Sequence, residues 1–272
     1  FHGRTMGSLS LTASKPIQKS GFFPTMPGVL HIPYAYCYRC AYNLEYPSCN
    51  LRCVSIIEDT YFKTIIDPYE IAGLFLEPIQ GEGGYIFPPP EFIPYLRTLT
   101  EKYGILLIDD EVQAGFGRAG KLFAIEHFNV IPDIIAIAKG MGSGVPIGAI
   151  IFDARLDYKE QGSHSNTYGG NLLCCASVLA TLDVLLEDGL LRNSIEVGSY
   201  LHSRLKELKD EFPIIGDVRG IGLMQVIELV RDRKTKEPAK KERDRVIELS
   251  YKNGLIFIPC GLSGIRIIPP LV

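Results

Sequence analysis

The sequence of 272 residues contains no apolar run that approaches the roughly 18 residues needed to cross a membrane. It shows no secretory signal and no internal repeat, so we expect a cytoplasmic protein without a membrane partner. It also lacks an excess of charge of one sign, since 28 Lys and Arg face 31 Asp and Glu for a net charge of −3. This balance argues against a nucleic-acid-binding protein, which would be strongly basic. The apolar fraction of 46% is that of a globular chain able to bury a substantial core.

Short apolar runs alternate with helical patterns over the first two thirds of the chain. The runs that predict buried strands are residues 73–76, 105–108, 134–138 and 147–152. Phe92, Leu96, Leu99 and Tyr103 recur at helical spacing, and residues 172–187 form a long apolar helical segment. Strands that alternate with helices predict an α/β fold with a mainly parallel sheet and flanking helices.

The pattern changes after about residue 188. Strand-like segments at residues 214–229, 255–259 and 265–268 surround a helical segment at residues 242–252. We therefore expect a large domain at residues 1–187 and a smaller C-terminal α+β domain at residues 188–272.

Ionisable residues follow three of the predicted strands. Glu77 follows the first, Asp109, Asp110 and Glu111 close the second, and Lys139 follows the third. Ligands of open α/β sheets bind just beyond the carboxyl ends of the strands, so these ends predict a site.

Lys139 follows an apolar strand and is succeeded by a glycine-rich stretch, residues 140–144. Such surroundings can remove water from a lysine, lower its pKa and make it a nucleophile toward a carbonyl group. A lysine in a surface loop is the plainer interpretation.

The acidic strand end allows two interpretations. Asp110 with Gln113 could hold a heteroaromatic ring, the carboxylate on a ring N–H and the amide on a ring oxygen. Alternatively, Asp109, Asp110 and Glu111 could bind magnesium, although no G-x-x-x-x-G-K-[ST] phosphate loop accompanies them.

Six segments carry a resemblance to class III aminotransferases, which are pyridoxal-phosphate (PLP) enzymes of fold type I. L-I-D-D-E-V-Q-A-G-F-G-R and D-I-I-A-I-A-K-G resemble the central signature of that family. The other four segments are F-H-G-R-T, E-P-I-Q-G-E-G-G, T-Y-G-G-N and I-R-I-I-P-P-L. The segments begin, in chain order, at residues 1, 77, 107, 133, 167 and 265, so the resemblance spans essentially the whole chain.

The resemblance implies PLP as cofactor and assigns residues to it. Lys139 matches the catalytic lysine that forms the Schiff base and later moves the proton, and Asp110 matches the partner of the pyridine nitrogen. Gln113 matches the residue near the phenolic oxygen, and Phe1 matches the aromatic side chain on the ring face. Thr167 matches a threonine that reaches the cofactor phosphate of a neighbouring subunit, which implies a homodimer at least.

The resemblance also implies three substrate-binding residues. Arg4 and Arg266 match arginines that bind carboxylates, a task suited to the bidentate guanidinium fork. Glu82 matches a glutamate that pairs with the second of these arginines. Such a pair could mask Arg266 while an amino donor enters and then release it for the carboxylate of the second substrate.

These matches favour a transaminase that moves an amino group from an ω-amino acid, of the 4-aminobutyrate type, to 2-oxoglutarate. Ornithine or acetylornithine aminotransferases are alternatives, as is an amino-acid racemase or epimerase, because one fold supports several reactions. A metal-binding or purely structural protein is the alternative from another class.

Four of the seven cysteines, Cys37, Cys40, Cys49 and Cys53, cluster in a loop rich in Pro, Gly and Tyr. Their spacing is compatible with tetrahedral zinc, with disulfides or with four unlinked thiols. We expect no metal at the active site itself.

The family has a segment with a phosphate-binding turn before F-H-G-R-T and a closing helix after P-P-L. The sequence contains neither, and it begins with Phe1 rather than Met. We therefore expect a portion of a longer chain that by itself does not hold PLP tightly.

Overall fold

The computed structural model describes residues 1–272 and contains two four-stranded sheets. The helices are α1 (Met6–Leu11), α2 (Arg52–Ile56), α3 (Phe62–Thr64), α4 (Phe92–Tyr103), α5 (Leu172–Glu187), α6 (Leu190–Glu211) and α7 (Lys240–Lys252). None of them is long and apolar enough to span a membrane.

The first sheet has the order β1-β2-β3-β4. Its strands are β1 (Gly73–Leu76), β2 (Leu106–Asp110), β3 (Ile134–Ala138) and β4 (Gly148–Phe152). β1, β2 and β3 run parallel, whereas β4 pairs with β3 in the antiparallel sense. The predicted α/β fold with a mainly parallel sheet is therefore confirmed, and the carboxyl ends of the three parallel strands meet at one edge.

The second sheet is antiparallel throughout, in the order β5-β6-β8-β7. Its strands are β5 (Ile215–Ile221), β6 (Met224–Leu229), β7 (Ile258–Cys260) and β8 (Gly264–Ile267). The single strand-like segment predicted at residues 214–229 is in fact a hairpin. Gly222, at φ +55°, supplies the left-handed backbone that the turn requires.

The helical spacing of Phe92, Leu96, Leu99 and Tyr103 is confirmed by α4, which is followed by Gly104 in the left-handed conformation at φ +70°. α6 buries little apolar surface, because Val197 and Leu208 are exposed although Leu205 is buried. Small residues make the close contact of α6 instead: a Cβ on Gly198 would lie 2.1 Å from the carbonyl oxygen of Gly222.

The main hydrophobic core lies between α4 and the first sheet and is centred on Phe92, Leu96 and Leu107, all at most 2% exposed. A second cluster joins the two sheets, because Tyr85, from the loop after β1, packs with Met224 and Val226 of β6. This second cluster positions the C-terminal strands against the edge where β1, β2 and β3 end.

The loop rich in Pro, Gly and Tyr that the sequence predicts covers residues 20–48, and it contains only one 3-10 turn, Cys37–Arg39, and no strand. All seven cysteines are free thiols in the structure. Cys37, Cys40, Cys49 and Cys53 line one small cavity of about 30 Å³. Burial raises the pKa of Cys53 to about 11, and the neighbouring thiols act in the same direction. No group of three or more His, Cys, Asp or Glu side chains has metal-binding geometry.

Candidate active site

A cavity of about 840 Å³ opens beyond the carboxyl ends of the parallel strands. Four residues that the sequence singles out line it together: Glu82, Gln113, Lys139 and Arg266. Half of its lining residues are hydrophobic, and Phe116 and Leu185 are among them. The cavity thus combines an amine, a carboxylate, an amide and a guanidinium with an apolar wall, which is the composition of a site for a small polar molecule.

Lys139 stands at the exact point where β3 ends and begins the 3-10 turn Lys139–Gly142. Its backbone adopts φ +49°, a conformation that is costly for a side chain other than glycine and that recurs at functional sites. The loss of water around its ammonium lowers the pKa of Lys139, although the carboxylates of Asp110 and Glu77 act against this. A larger fraction of Lys139 is therefore neutral, and so nucleophilic, than in an ordinary exposed lysine.

Asp110, the last residue of β2, is buried, and both of its carboxylate oxygens have partners. His2 Nδ1 lies 2.7 Å from Oδ2, and the backbone N–H of Val112 donates to Oδ1 at 3.0 Å. An ionised carboxylate only accepts hydrogen bonds, so this contact is a hydrogen bond in the tautomer that has its proton on His2 Nδ1. The Asp110 side chain is therefore held by two contacts, and it lies close enough to Lys139 to influence the pKa of that lysine.

Gln113 approaches the loop after β1 very closely. A Cβ added to Gly81 would lie 2.4 Å from Gln113 Oε1, so only glycine at position 81 leaves room for this amide. Arg266 Nη1 in turn donates to Gln113 Oε1 at 3.4 Å. The glycine-rich loop and the C-terminal strand β8 are thereby joined through one side chain.

Arg266 projects from β8 and is only 7% exposed. Its Nη2 donates to Glu82 Oε1 at 2.6 Å and to the carbonyl oxygen of Pro259 at 3.0 Å. Its Nε is buried without an acceptor. Its guanidinium carbon lies 5.7 Å from the centre of the Tyr85 ring. An arginine that is buried on an aromatic ring and has a free donor is well suited to binding a carboxylate.

Glu82 is paired as well as partly buried. Burial acts to raise its pKa, but the hydrogen bond and charge of Arg266, helped by Lys15, outweigh burial and lower the pKa. The Glu82 side chain is therefore an ionised cover on Arg266.

Four other predicted site residues are not among those that line this cavity: Asp110, Phe1, Arg4 and Thr167. Phe1 lines an adjoining apolar cavity of about 810 Å³, and the Arg4 guanidinium lies 5.4 Å from the centre of its ring. Arg4 and Thr167 are both exposed. Their predicted roles therefore stay predictions.

Of the other acidic strand-end residues, Glu77 has a local structural task, because its Oε2 accepts a hydrogen bond from Gly81 N at 2.8 Å. Asp109 points away from Asp110, as strand alternation predicts, and is completely buried. The magnesium alternative at Asp109, Asp110 and Glu111 lacks the required geometry.

Sequence reasoning missed two residues at the site, His2 and Tyr85. His2 could have been found, because it belongs to the F-H-G-R-T segment that we quote for its neighbours. Tyr85 carries no motif signal, since its contact with Arg266 depends on how β8 packs against the loop after β1.

A family model described as "Aminotransferase class-III" matches residues 1–272 of the chain. The chain therefore belongs to the class III aminotransferase family. It is 38% identical over 275 residues to a probable 4-aminobutyrate aminotransferase of Bacillus subtilis, with 100% of this chain and 63% of the relative covered. It is 40% identical over 278 residues to an alanine/serine racemase of Pyrococcus horikoshii, with 100% of this chain and 58% of the relative covered.

Solved structures give the same assignment. An amine transaminase from an uncultivated Pseudomonas species, in a PLP-bound form, matches with a TM-score of 0.92 and 31% identity over 100% of this chain and 63% of that one. An (S)-enantioselective omega-transaminase of Thermomicrobium roseum matches with a TM-score of 0.90 and 38% identity, over 100% of this chain and 62% of that one. The fold is thus that of PLP-dependent transaminases, as predicted. The chain spans about three fifths of the length of these relatives.

Proposed function

We propose that the complete gene product is a PLP-dependent aminotransferase that moves an amino group from an ω-amino acid, of the 4-aminobutyrate type, to 2-oxoglutarate. The observation that carries this proposal is the buried Arg266, which shares a cavity with Lys139 and is covered by Glu82 at 2.6 Å. A covered arginine suits a site that accepts in turn an uncharged substrate end and a carboxylate.

The residues present fit the cofactor. Asp110, held by His2, would accept the N–H of a pyridinium ring, Lys139 would bind the aldehyde carbon, and Gln113 would lie near the ring oxygen. The orphaned Nε of Arg266 supports a ligand in this cavity. When bound, PLP supplies an electron sink that stabilises negative charge on the substrate carbon next to nitrogen.

The residues of the chain would then divide the remaining work. The lowered pKa of Lys139 favours its neutral amine, which would take a proton from the substrate carbon and return it elsewhere. Arg4, which lies outside the cavity, would bind the carboxylate of the amino donor, as the family resemblance implies. Arg266 would bind a carboxylate of 2-oxoglutarate once Glu82 has turned away.

We also propose that the protein acts as a homodimer. Exposed side chains cluster around Thr167, the residue assigned to a neighbouring subunit. Tyr168, Leu172 and Leu173 are 82%, 87% and 73% exposed, an apolar surface that a second copy would cover. Light scattering on the complete gene product should give twice the mass of one chain, and a monomer that is fully active would contradict the dimer.

The test of function is a panel of amino donors with 2-oxoglutarate, run on the complete gene product supplied with PLP. We expect glutamate to form fastest with 4-aminobutyrate and more slowly with ornithine and acetylornithine. Borohydride should attach the cofactor to Lys139, as peptide mapping will show, whereas Lys139→Met should retain neither the label nor turnover. Labelling at another lysine would contradict the assignment.

A racemase is the second candidate, because a relative 40% identical over the whole chain is described as an alanine/serine racemase. The same Lys139 and Asp110 would serve it. The discriminating assay is the optical rotation of L-alanine or L-serine incubated with the enzyme and no oxo acid. A steady loss of rotation without an acceptor would favour the racemase.

A further inference from the structure

Glu82 lies between two cations rather than one. Its Oε1 accepts from Arg266 Nη2 at 2.6 Å, and its Oε2 lies 3.5 Å from Lys15 Nζ. Arg266 belongs to the cavity interior, whereas Lys15, whose side chain is 29% exposed, lies toward solvent. The carboxylate therefore has an inner partner and an outer partner.

The backbone that carries Lys15 is fixed. Lys15 N donates to Gln18 Oε1 at 3.1 Å, and Ser14 Oγ donates to the same oxygen at 2.6 Å. Gln18 is buried, and Pro16 begins the 3-10 turn that holds it. The ammonium of Lys15 therefore stays within reach of Glu82, and only side-chain torsions change the distance between them.

The backbone that carries Glu82 is also fixed. Its carbonyl oxygen accepts from Gly261 N at 3.1 Å. Two residues further on, Arg219 Nη2 donates to the carbonyl oxygen of Gly84 at 2.6 Å, and Arg219 Nε donates to that of Tyr85 at 2.7 Å. Glu82 can therefore leave Arg266 only by rotating its side chain.

A half-buried carboxylate that gives up its ion-pair partner is costly unless another cation replaces it. Lys15 is the other cation in contact with Glu82. We propose that Lys15 is a positioning residue that receives the Glu82 carboxylate when it turns away from Arg266. Lys15 thus favours the form of the site that accepts a dicarboxylate. This inference rests on the proposed function, in which Arg266 binds a carboxylate of the second substrate.

The test uses the complete gene product with PLP and measures the two half-reactions separately. Lys15→Met should raise the KM for 2-oxoglutarate by about three- to fivefold more than the KM for the amino donor, as expected for a partly exposed ion pair. kcat should change little in either half-reaction. Lys15→Arg should restore the wild-type ratio, and Lys241→Met, at an exposed lysine without an ion-pair partner, is the matched control.

The decisive comparison is a double-mutant cycle. In Glu82→Ala the cover is absent, so Lys15 has nothing to receive and Lys15→Met should cause no further loss of 2-oxoglutarate affinity. If Lys15→Met weakens the binding of 2-oxoglutarate equally in the wild-type and Glu82→Ala backgrounds, Lys15 is a direct ligand of the substrate and the proposal is wrong.

Calorimetric titration with glutarate, a dicarboxylate that cannot react, repeats the cycle without turnover. We expect Lys15→Met to weaken the binding of glutarate only when Glu82 is present. If neither half-reaction occurs, the proposed function fails, yet the glutarate cycle still decides whether Lys15 receives Glu82. Equal glutarate affinities in wild type and Lys15→Met would overturn the inference.

Discussion

Each sheet buries acidic side chains, and the two groups are in opposite electrostatic states. Glu228 of β6 accepts from Tyr36 at 2.6 Å, from Arg39 at 2.6 Å and from Arg219 at 2.7 Å. Asp109 at the end of β2 has no partner on either oxygen, and the neighbouring Glu111 has none on Oε2.

Burial acts to raise the pKa of Glu228, but Arg219 and the hydrogen bonds from Tyr36 and Arg39 outweigh it, so the pKa is lowered. Nothing opposes burial at Asp109, and the nearby Glu111 adds repulsion, so its pKa is raised far above the ordinary value. The depth of burial is alike in the two regions. Hydrogen-bond donors, not depth, decide whether a buried carboxylate carries a charge.

The largest loss of stability is expected from removing Glu228, the buried carboxylate that is paired with Arg39 and Arg219. Glu228→Ala would leave the guanidinium groups of Arg39 and Arg219 buried with reduced compensation. We expect a loss of about 3–5 kcal/mol in the free energy of unfolding, measured by urea denaturation. A loss as small as that of an exposed ion pair would show that the donors around Glu228 do not hold it as described.

The buried carboxyl groups of Asp109 and Glu111 should make the stability of the protein depend on pH. Asp109 and Glu111 keep a proton in the folded protein that they release in the unfolded chain, because burial raises both pKa values. Repulsion from Glu111 adds to this at Asp109, whereas at Glu111 the hydrogen bonds from the backbone of Ile125 and Ala124 and from Asp109 oppose burial without outweighing it. The folded state binds more protons, so stability should fall as pH rises above about 4, the pKa of an unfolded carboxyl group. The slope should reach at most about 1.4 kcal/mol per pH unit for each proton and end at the raised folded-state pKa.

Asp109→Asn is expected to flatten this profile, since the amide can donate permanently to the unsatisfied Oε2 of Glu111. Asp210→Asn on the exposed side of α6 is the matched control and should keep the wild-type slope. Urea denaturation across the pH range gives both curves. Parallel curves for wild type and Asp109→Asn would show that Asp109 does not carry the extra proton of the folded state.

The smallest loss of stability is expected at an ion pair that is not buried. Lys252 Nζ lies 2.6 Å from Glu248 Oε1 on α7, and both side chains are largely exposed. Water and salt screen such a pair, so Lys252→Met should leave the unfolding midpoint in urea within experimental error. A clear shift would mean that burial does not separate the strong interactions from the weak ones in this protein.

The sequence predicts the strands of the first sheet and therefore the edge at which Asp110 and Lys139 end their strands. This succeeds because a fully buried parallel strand is a continuous apolar run that ends abruptly in ionisable residues. It also predicts that Asp109 faces away from Asp110, because side chains alternate along a strand.

The hydrogen-bond partners of the buried acidic residues cannot be predicted in the same way. Nothing in the local sequence indicates that Glu228 meets Tyr36 and Arg39, which lie about 190 positions earlier, or that Asp109 meets no donor. The hairpin at Gly222 was missed because one glycine among apolar residues has several interpretations. Periodicity describes a single element, whereas these contacts depend on how two sheets pack.

The fastening of the Glu82 loop to the C-terminal sheet has a consequence for how Arg266 could be uncovered. Because Gly261 and Arg219 hold the loop backbone, no segment has to move when the cover leaves Arg266. Under the proposed function, exchange between the two substrate modes would therefore need the rotation of one side chain and the breaking of one partly buried ion pair, but no movement of the loop.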